Sequence, residues 1–264
     1  MMTRTNWRAL VPALAMLVSA PTAGRAQDDF LWRGRVAAGR AVEVKGVNGA
    51  ITASPAAGDE IEIRASKHAR RDDPGEVRIE VVPHDGGVTI CAVYPTPARA
   101  RQPNECAPGG AGRMNVRNND VTVDFDVLVP ANVRLVGKTV NGDVEARDLR
   151  GDASINTVNG SVRVITAGHA DARTVNGNVH VEMGRADWDG SLVFKTVNGS
   201  ITVVFPGDLG ADLTARTVNG SIESDFPMSV VGRISRQRLS ATIGSGGRPL
   251  ELETVNGDIR LRRR

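Results

Sequence analysis

The sequence TVNGSI occurs at residues 196–201 and again at residues 217–222, and near copies of its Thr-Val-Asn-Gly step recur along the chain. The asparagines of these copies are Asn48, Asn141, Asn159, Asn176, Asn198, Asn219 and Asn256. The central copies are 17 to 22 residues apart, and a nearly fixed period of this length is typical of stacked repeat units. A catalytic motif normally occurs once, so the repetition indicates architecture before chemistry.

Around each asparagine the hydrophobic pattern has a period of two. Apolar or small residues recur six and four positions before it, Thr stands two positions before it in six of the seven copies, and Val or Ile stands three positions after it. Alternate residues of a strand share one face. The apolar positions lie at even steps before Asn and at odd steps after it, so the chain cannot continue as one straight strand across Asn-Gly. Because Asn and Gly tolerate positive φ, each copy predicts a tight turn or corner between two strands.

Two all-β architectures fit this pattern: a β-solenoid resembling a parallel β-helix, with repeats of 17–22 residues, and an antiparallel β meander. In a solenoid, equivalent residues stack about 4.8 Å apart, so that identical side chains can hydrogen-bond along a ladder. A meander needs the turn residues but not identical flanks. The constancy of Thr and Asn therefore favours the solenoid, and an aromatic content of 3% fits its thin interior.

The chain is predicted to contain a signal peptide at residues 1–26 and a single β-repeat domain at residues 27–264. Residues 27–130 alternate less regularly and are interpreted as capping coils, because terminal repeats must cover an open sheet edge. Residues 131–264 carry the serial repeats. The 37-residue interval between Asn219 and Asn256 predicts one degenerate period, with GSGG at residues 244–247 as its turn.

The first residues have the parts of a Sec-type signal. Arg4 and Arg8 precede an apolar stretch of about 12 residues, too short to span a bilayer, and cleavage is predicted after Ala26. The mature protein is therefore expected in the periplasm, at the cell surface or in the medium, with no membrane span and an unidentified envelope or surface partner.

The net charge of +3 does not indicate nucleic-acid binding. Removal of Arg4, Arg8 and Arg25 with the signal leaves thirty basic and thirty acidic side chains, whereas phosphate backbones require a basic face. The one dense cluster, Arg260 with residues 262–264, is interpreted as a solvated, frayed terminus.

The only cysteines are Cys91 and Cys106, which flank a loop rich in Pro and Gly. In an oxidising compartment they predict a disulfide, and closing a loop of about 15 residues stabilises a fold by about 3 kcal/mol. A reactive thiol or a metal site is the alternative interpretation.

No group of residues reaches the level of a catalytic, cofactor or metal site. The best carboxylate cluster is formed by Asp120, Asp124 and Asp126 and is interpreted as a solvated face. The other candidates are assigned to turns, or lack the spacing or context of a site: Asp187, Trp188 and Asp189; His68, His84, His169 and His180; Ser161 and Ser221; Trp32 and Tyr94.

The segments FLWRGRV, VDFDVLVP, the serial TVNG steps and the closing LELETVNGDIRL resemble the bacterial exported β-strand-repeat family of unknown function, whose members often carry the provisional label of adhesin. The similarity covers residues 30–264. It implies an exported β-helical protein without an established catalytic activity, and it transfers no functional residues. The expected function is a non-enzymatic, adhesin-like scaffold or interaction protein. The alternative is a polysaccharide-acting β-helix lyase or hydrolase.

Overall fold

The computed structural model describes residues 28–230 and 235–264, and the predicted signal peptide lies outside them. Within these residues the one helical element is a short 3-10 turn at Pro74–Glu76. The strands before the serial repeats are β1 (Asp28–Gly34), β2 (Ala41–Lys45), β3 (Ile51–Pro55), β4 (Ile61–His68), β5 (Arg78–His84), β6 (Gly87–Val93) and β7 (Thr122–Val129). The rest of the chain contributes β8 (Arg134–Lys138), β9 (Val144–Leu149), β10 (Ala153–Asn156), β11 (Val162–Thr166), β12 (Ala170–Arg173), β13 (Val179–Met183), β14 (Leu192–Lys195), β15 (Ile201–Phe205), β16 (Ala211–Arg216), β17 (Ile222–Ser224), β18 (Met228–Val230), β19 (Arg238–Ile243), β20 (Pro249–Glu253) and β21 (Ile259–Arg263).

The strands form two sheets, and each repeat places one strand in each of them. The ten-stranded sheet has the order β1-β4-β7-β3-β9-β11-β13-β15-β21-β17, and the eleven-stranded sheet has the order β18-β19-β16-β20-β14-β12-β10-β8-β2-β6-β5. The repeat strands pair in parallel, as in β10 with β12 and β11 with β13. The predicted β-solenoid is therefore confirmed, and the antiparallel meander is wrong for the repeats.

The predicted inward register of the repeats is also confirmed. In the repeat around Asn159, the side chains of Ala153, Ile155, Thr157 and Val162 are all buried. Equivalent positions in the other coils fill the same interior between the two sheets. The change of register occurs at the Asn-Gly corner, where the chain leaves one sheet for the other. Local turn chemistry and the alternation of apolar residues thus place each coil around one shared core.

The coils are not stacked in the order of the sequence. Strand β20 pairs in parallel with both β14 and β16, while β21 pairs in parallel with both β15 and β17. The C-terminal coil, residues 249–264, is therefore inserted between the coil of Asn198 and the coil of Asn219. Sequential repeats are usually spatial neighbours, but Asn198 and Asn219 do not stack directly on each other, because Asn256 lies between them.

The interval before Asn256 does not hold a degenerate period of the solenoid. It forms β18 and β19, and β19 pairs antiparallel with both β16 and β18 at the edge of the eleven-stranded sheet. Residues 244–247 are the turn that brings the chain from this edge back to β20. An antiparallel strand reverses the chain direction, which is how the last coil can return to an internal position.

The N-terminal part carries a cap of similar design. Strands β2 and β3 stack in parallel on β8 and β9, so the isolated turn at Asn48 is a regular coil of the solenoid. Beyond it, β4 pairs antiparallel with β7, β1 with β4, and β5 with β6. Trp32 lies on β1, at the outer edge of this cap.

The C-terminal arginines belong to an internal strand, so their interpretation as a frayed terminus is wrong. Arg262 Nη2 lies 2.8 Å from Glu223 Oε2, and Arg262 Nη1 lies 2.9 Å from Asp225 Oδ1. Arg260 Nη2 lies 2.7 Å from Asp258 Oδ2. The two Arg262 ion pairs join the inserted coil to its neighbour on the outer face of the ten-stranded sheet, whereas the Arg260–Asp258 pair lies within the inserted coil.

Candidate functional site

The Asn-Gly corner carries a continuous ladder of side-chain amides. The Nδ2 group of each asparagine donates to the Oδ1 atom of the preceding one in the stack, at 2.7 or 2.8 Å. The order of the ladder is Asn48, Asn141, Asn159, Asn176, Asn198, Asn256 and Asn219. An amide can donate and accept at once, which explains why this position is always asparagine.

The threonines of the repeat do not form a ladder with one another, contrary to the expectation. Each hydroxyl instead donates to the glycine carbonyl of the neighbouring coil, as Thr196 Oγ1 does to Gly177 O at 2.9 Å. Thr254 and Thr217 repeat the contact with Gly199 O and Gly257 O. Thr is constant because its hydroxyl satisfies a carbonyl inside the corner, where an unpaired acceptor would be costly.

The valine of each TVNG step points away from the core and forms an apolar column beside the amide ladder. We call this surface the valine ridge: Val140, Val158, Val175, Val197, Val255 and Val218. The first five side chains are 37–39% exposed, and Val218 is 57% exposed. At about 4.8 Å per coil the ridge is about 24 Å long. Exposed apolar residues are unremarkable singly, but a contiguous patch often marks an interaction site.

The loop that follows β6 lies beside the start of this ridge, where loop residues and Val140 line the same cleft. The structure joins Cys91 to Cys106 in a disulfide, with the two Cα atoms 5.7 Å apart. Cys91 and Cys106 pack with Val93 in a small apolar cluster separate from the main core. The disulfide therefore holds the loop against the outer face of β6.

Three charged side chains fasten the same loop to the eleven-stranded sheet. Glu43 is only 5% exposed and accepts hydrogen bonds from Lys138 Nζ at 2.7 Å and from Gly109 N at 2.8 Å. Lys45 Nζ donates to the carbonyl oxygens of Ala107, Gly109 and Ala111. A buried carboxylate needs such partners, because its desolvation is costly when it is unpaired.

The pKa values of this cluster are shifted by burial and by the neighbouring charges. Burial acts to raise the pKa of Glu43, but hydrogen bonds from Lys138, Gly109 N and Thr89 outweigh it and lower the pKa. Burial lowers the pKa of Lys45, which Glu43 opposes. A carboxyl group whose pKa is lower in the folded than in the unfolded state stabilises the fold at pH values above the unfolded-state pKa. This stabilisation is lost as the pH falls through the folded-state pKa. The contribution of Glu43 to the attachment of the loop is thus present at neutral pH and lost in acid, whereas the lowered pKa of Lys45 makes an opposing contribution at neutral pH, where that lysine is charged.

The loop and the first Asn-Gly corners enclose a cleft of about 710 Å³. Its lining combines apolar side chains with amides and with the two lysines: Lys45, Val47, Asn48, Met114, Asn119, Lys138, Val140 and Asn141 are among the residues that form it. Val140 belongs both to this cleft and to the valine ridge. The ridge and the cleft therefore form one continuous surface along the corner of the solenoid.

Sequence reasoning missed the charged cluster, although a pattern for it exists. The residue three positions before the asparagine is basic in five of the seven copies: Lys45, Lys138, Arg173, Lys195 and Arg216. This position faces outward on the eleven-stranded sheet, so parallel pairing stacks these side chains in a column. Glu43 stands five positions before Asn48, and the same position is acidic in two other copies, as Asp171 and Glu251. Lys195 Nζ donates to Glu251 Oε1 at 2.8 Å, which repeats the contact between Lys138 and Glu43 in the neighbouring coils.

The three carboxylates of the predicted cluster have separate surroundings. Asp124 Oδ1 accepts from Ala50 N at 2.7 Å, where β7 covers the first coil. Asp120 accepts from Asp72 N at 3.0 Å and pairs with Arg71, which lowers its pKa to about 2. Asp126 projects outward from β7 and is exposed. Across residues 28–230 and 235–264, no three His, Cys, Asp or Glu side chains could together hold a metal ion.

The turn around Trp188 is also structural. Trp188 is buried, packs against Phe205 with ring centroids 5.8 Å apart, and donates from Nε1 to Pro249 O at 3.2 Å. Asp187 binds Arg185 and His169, which lowers its pKa. Tyr94 is buried as well, and its hydroxyl donates to Val121 O at 2.8 Å. Tyr94 and Trp188 are therefore core residues and offer no exposed aromatic surface for a ligand.

The histidines and serines lie apart from one another. His68 faces Asp124, His84 contacts Thr89, His169 lies between Asp152 and Asp187, and His180 contacts Glu182. Ser161 Oγ accepts from Asn178 N, and Ser221 Oγ donates to Asp258 Oδ1 at 3.0 Å. Both serines are rungs of a second polar ladder beside the corner.

These features define the protein as a two-sheet parallel β-solenoid with an amide ladder and an exposed apolar ridge at one corner. The Toastrack DUF4097 family model matches residues 113–262, more than half of the chain, and the chain belongs to this family. This finding confirms the resemblance to β-strand-repeat proteins of unknown function. Among the described residues, no helix is long and apolar enough to cross a membrane.

Three solved structures are similar over most of their length. A "putative cell adhesion protein" from Clostridium sporogenes is 11% identical, with a TM-score of 0.45 over 90% of this chain and 100% of that one. A "putative adhesin" from Bacteroides fragilis is 11% identical, with a TM-score of 0.34 over 90% and 98%. A "putative adhesin" from Parabacteroides distasonis is 12% identical, with a TM-score of 0.28 over 89% and 97%. A search of curated proteins found no match.

Proposed function

We propose that this protein is a non-enzymatic, adhesin-like scaffold, exported to the periplasm or the cell surface, which binds an envelope or surface partner along the corner of its solenoid. The observation that carries the proposal is the valine ridge. Six outward valines are aligned by the coil stacking, although the solenoid interior does not need them for packing. Membership of a family of unknown function, with structural neighbours named as adhesion proteins, is compatible with this role.

The composition of the surface supports a protein or polymer contact. The ridge supplies apolar area, and the amide ladder beside it supplies exposed polar groups. The cleft under the disulfide loop supplies a concave end in which a side chain or residue of the partner can be buried. Interfaces commonly combine such an apolar centre with a polar rim. The rigid stacking of the coils fixes these groups in advance, which reduces the entropy lost on binding.

Replacement of Val175 by Glu is expected to weaken binding about tenfold or more, because it buries a charge in the centre of the apolar contact. Labelled mature protein would be titrated onto immobilised envelope fractions. Thr202→Glu is the matched control, since Thr202 faces outward on the ten-stranded sheet and lies beside His180 and Arg260. Equal binding by wild type and a fully folded Val175→Glu variant would contradict the assignment of the ridge.

Export predicts that Cys91 and Cys106 are oxidised in the cell, because disulfides persist in the periplasm and outside the cell but rarely in the cytosol. The expected result is no labelling by a thiol reagent of protein recovered without reductant, and labelling of both cysteines after reduction and unfolding. Protein retained in the cytoplasm by deletion of residues 1–26 is the control. Two reactive thiols in the exported, folded protein would contradict this prediction.

A further inference from the structure

The Asn-Gly step is chemically labile when it is not constrained. The backbone nitrogen of the glycine can lose its proton and attack the Cγ atom of the asparagine, which forms a C–N bond and releases the side-chain nitrogen as ammonia. The cyclic succinimide then adds water and opens to aspartate or isoaspartate. The reaction needs a free glycine N–H and a backbone that can bend toward the side chain. The seven copies therefore differ in reactivity only as far as the fold constrains them differently.

In six copies the glycine N–H is engaged. Each of these N–H groups donates to the asparagine carbonyl oxygen of the next coil at 2.9 or 3.0 Å. The six glycines are Gly49, Gly142, Gly160, Gly177, Gly199 and Gly257. A local opening must break this hydrogen bond before the nitrogen can react. Within residues 28–230 and 235–264, the N–H of Gly220 donates to no acceptor. Gly220 lies in the last coil of the stack, so no further coil offers a carbonyl.

The side chain of Asn219 is also less constrained than the other rungs. The Oδ1 atom of each other asparagine accepts from the next Nδ2 group, whereas that of Asn219 accepts from no described residue. The neighbouring Val218 is 57% exposed, against 39% for Val197. Ile222 is half-buried, whereas its equivalent Ile201 is fully buried. The end position thus leaves Val218 and Ile222 less covered than the equivalent residues of the coil of Asn198.

We propose that Asn219 is a modification site, at which deamidation by attack of Gly220 N is selective over the other six Asn-Gly steps. The selectivity arises from the insertion of the C-terminal coil. Asn256 is the last copy in the sequence, but it lies between Asn198 and Asn219 in the ladder and is protected. The product places a carboxylate at the end of the valine ridge, and the isoaspartate form adds a methylene to the backbone of the last coil.

The chain contains a matched internal control, because the hexapeptide TVNGSI occurs at both positions. Trypsin cleaves after Lys195, Arg216 and Arg233, so the two sites are released on separate peptides, residues 196–216 and 217–233, which both begin with TVNGSI. The folded protein would be incubated at mildly alkaline pH and 37 °C, digested briefly and analysed by mass spectrometry. Deamidation at Asn219 is expected to be about tenfold faster or more than at Asn198, because Asn198 requires local opening.

Incubation in denaturant provides the reference for the intrinsic chemistry. There the identical hexapeptides are expected to react at similar rates, and the difference must disappear. Similar rates at Asn198 and Asn219 in the folded protein would overturn the proposal. Faster reaction at Asn256 than at Asn219 would overturn it too, because it would place the open end of the ladder at the C-terminal coil.

Discussion

Truncation of the chain after Arg248 is expected to abolish cooperative thermal unfolding, although it removes only the last sixteen residues. These residues form β20 and β21, which pair on both sides within their sheets. Leu250, Leu252, Ile259 and Leu261 are each at most 1% exposed. At about 1.5–3 kcal/mol for each buried aliphatic side chain, they contribute about 6–12 kcal/mol, which is comparable to the whole stability of a typical domain.

The truncated chain also loses the contact between two parts of the solenoid. The coil of Asn219 reaches the coil of Asn198 only through the inserted strands, so both sheets are interrupted. Circular dichroism during heating measures the effect. A chain that ends at Arg262 is the control, because it keeps the four buried aliphatic residues. A truncated protein that melts within a few degrees of the full chain would contradict the insertion of the last coil.

Replacement of Gly199 by Ala is expected to lower the free energy of unfolding by about 3 kcal/mol, the upper end of the usual loss when a core is overpacked without room to relax. A Cβ atom on Gly199 would overlap the carbonyl oxygen and carbon of Gly177 in the preceding coil. Both groups belong to the backbone. The coils cannot separate to make room without breaking the hydrogen bonds on both sides of the corner.

The matched control is Gly58→Ala, because no atom lies within 4 Å of the added Cβ position. Gly190 is less suitable, since its φ of 72° disfavours any side chain. Denaturant titration of both variants gives the two changes in free energy. If Gly199→Ala costs no more than Gly58→Ala, close packing of the coils at the corner is not the reason for the constant glycine.

The reason for the constant glycine at the corner differs from the one expected from the sequence. The turn chemistry of Asn-Gly suggested that glycine is needed for positive φ. Gly199 has a φ of 159°, at the border of the extended region, and close approach of the neighbouring backbone excludes a side chain there. A single strand-turn-strand unit shows the turn but not the adjacent coil. The sequence could therefore identify the essential residue without its physical cause.

The charged attachment of the disulfide loop is a second feature that the sequence could predict only in part. The two cysteines and the loop between them were evident from composition. Glu43 and Lys138 are 95 residues apart, and their contact depends on the parallel stacking of β2 on β8. Nothing local in either segment encodes that register. The contact, and the cleft that it helps to form, appear only when the coils are assembled.

By itself, the sequence determined the all-β class, the repeat unit, the corner at each Asn-Gly step and the side chains that face inward. These properties follow from alternation and turn chemistry, which act within a few residues. Only the tertiary structure decided the order of the coils. Repeats with nearly identical edges can pair in several orders, and TVNGSI at Asn198 and at Asn219 offers the same hydrogen-bonding groups to a neighbour. The antiparallel cap formed by β18 and β19 reverses the chain. The last coil therefore enters between the coils of Asn198 and Asn219, and Asn219 ends the ladder.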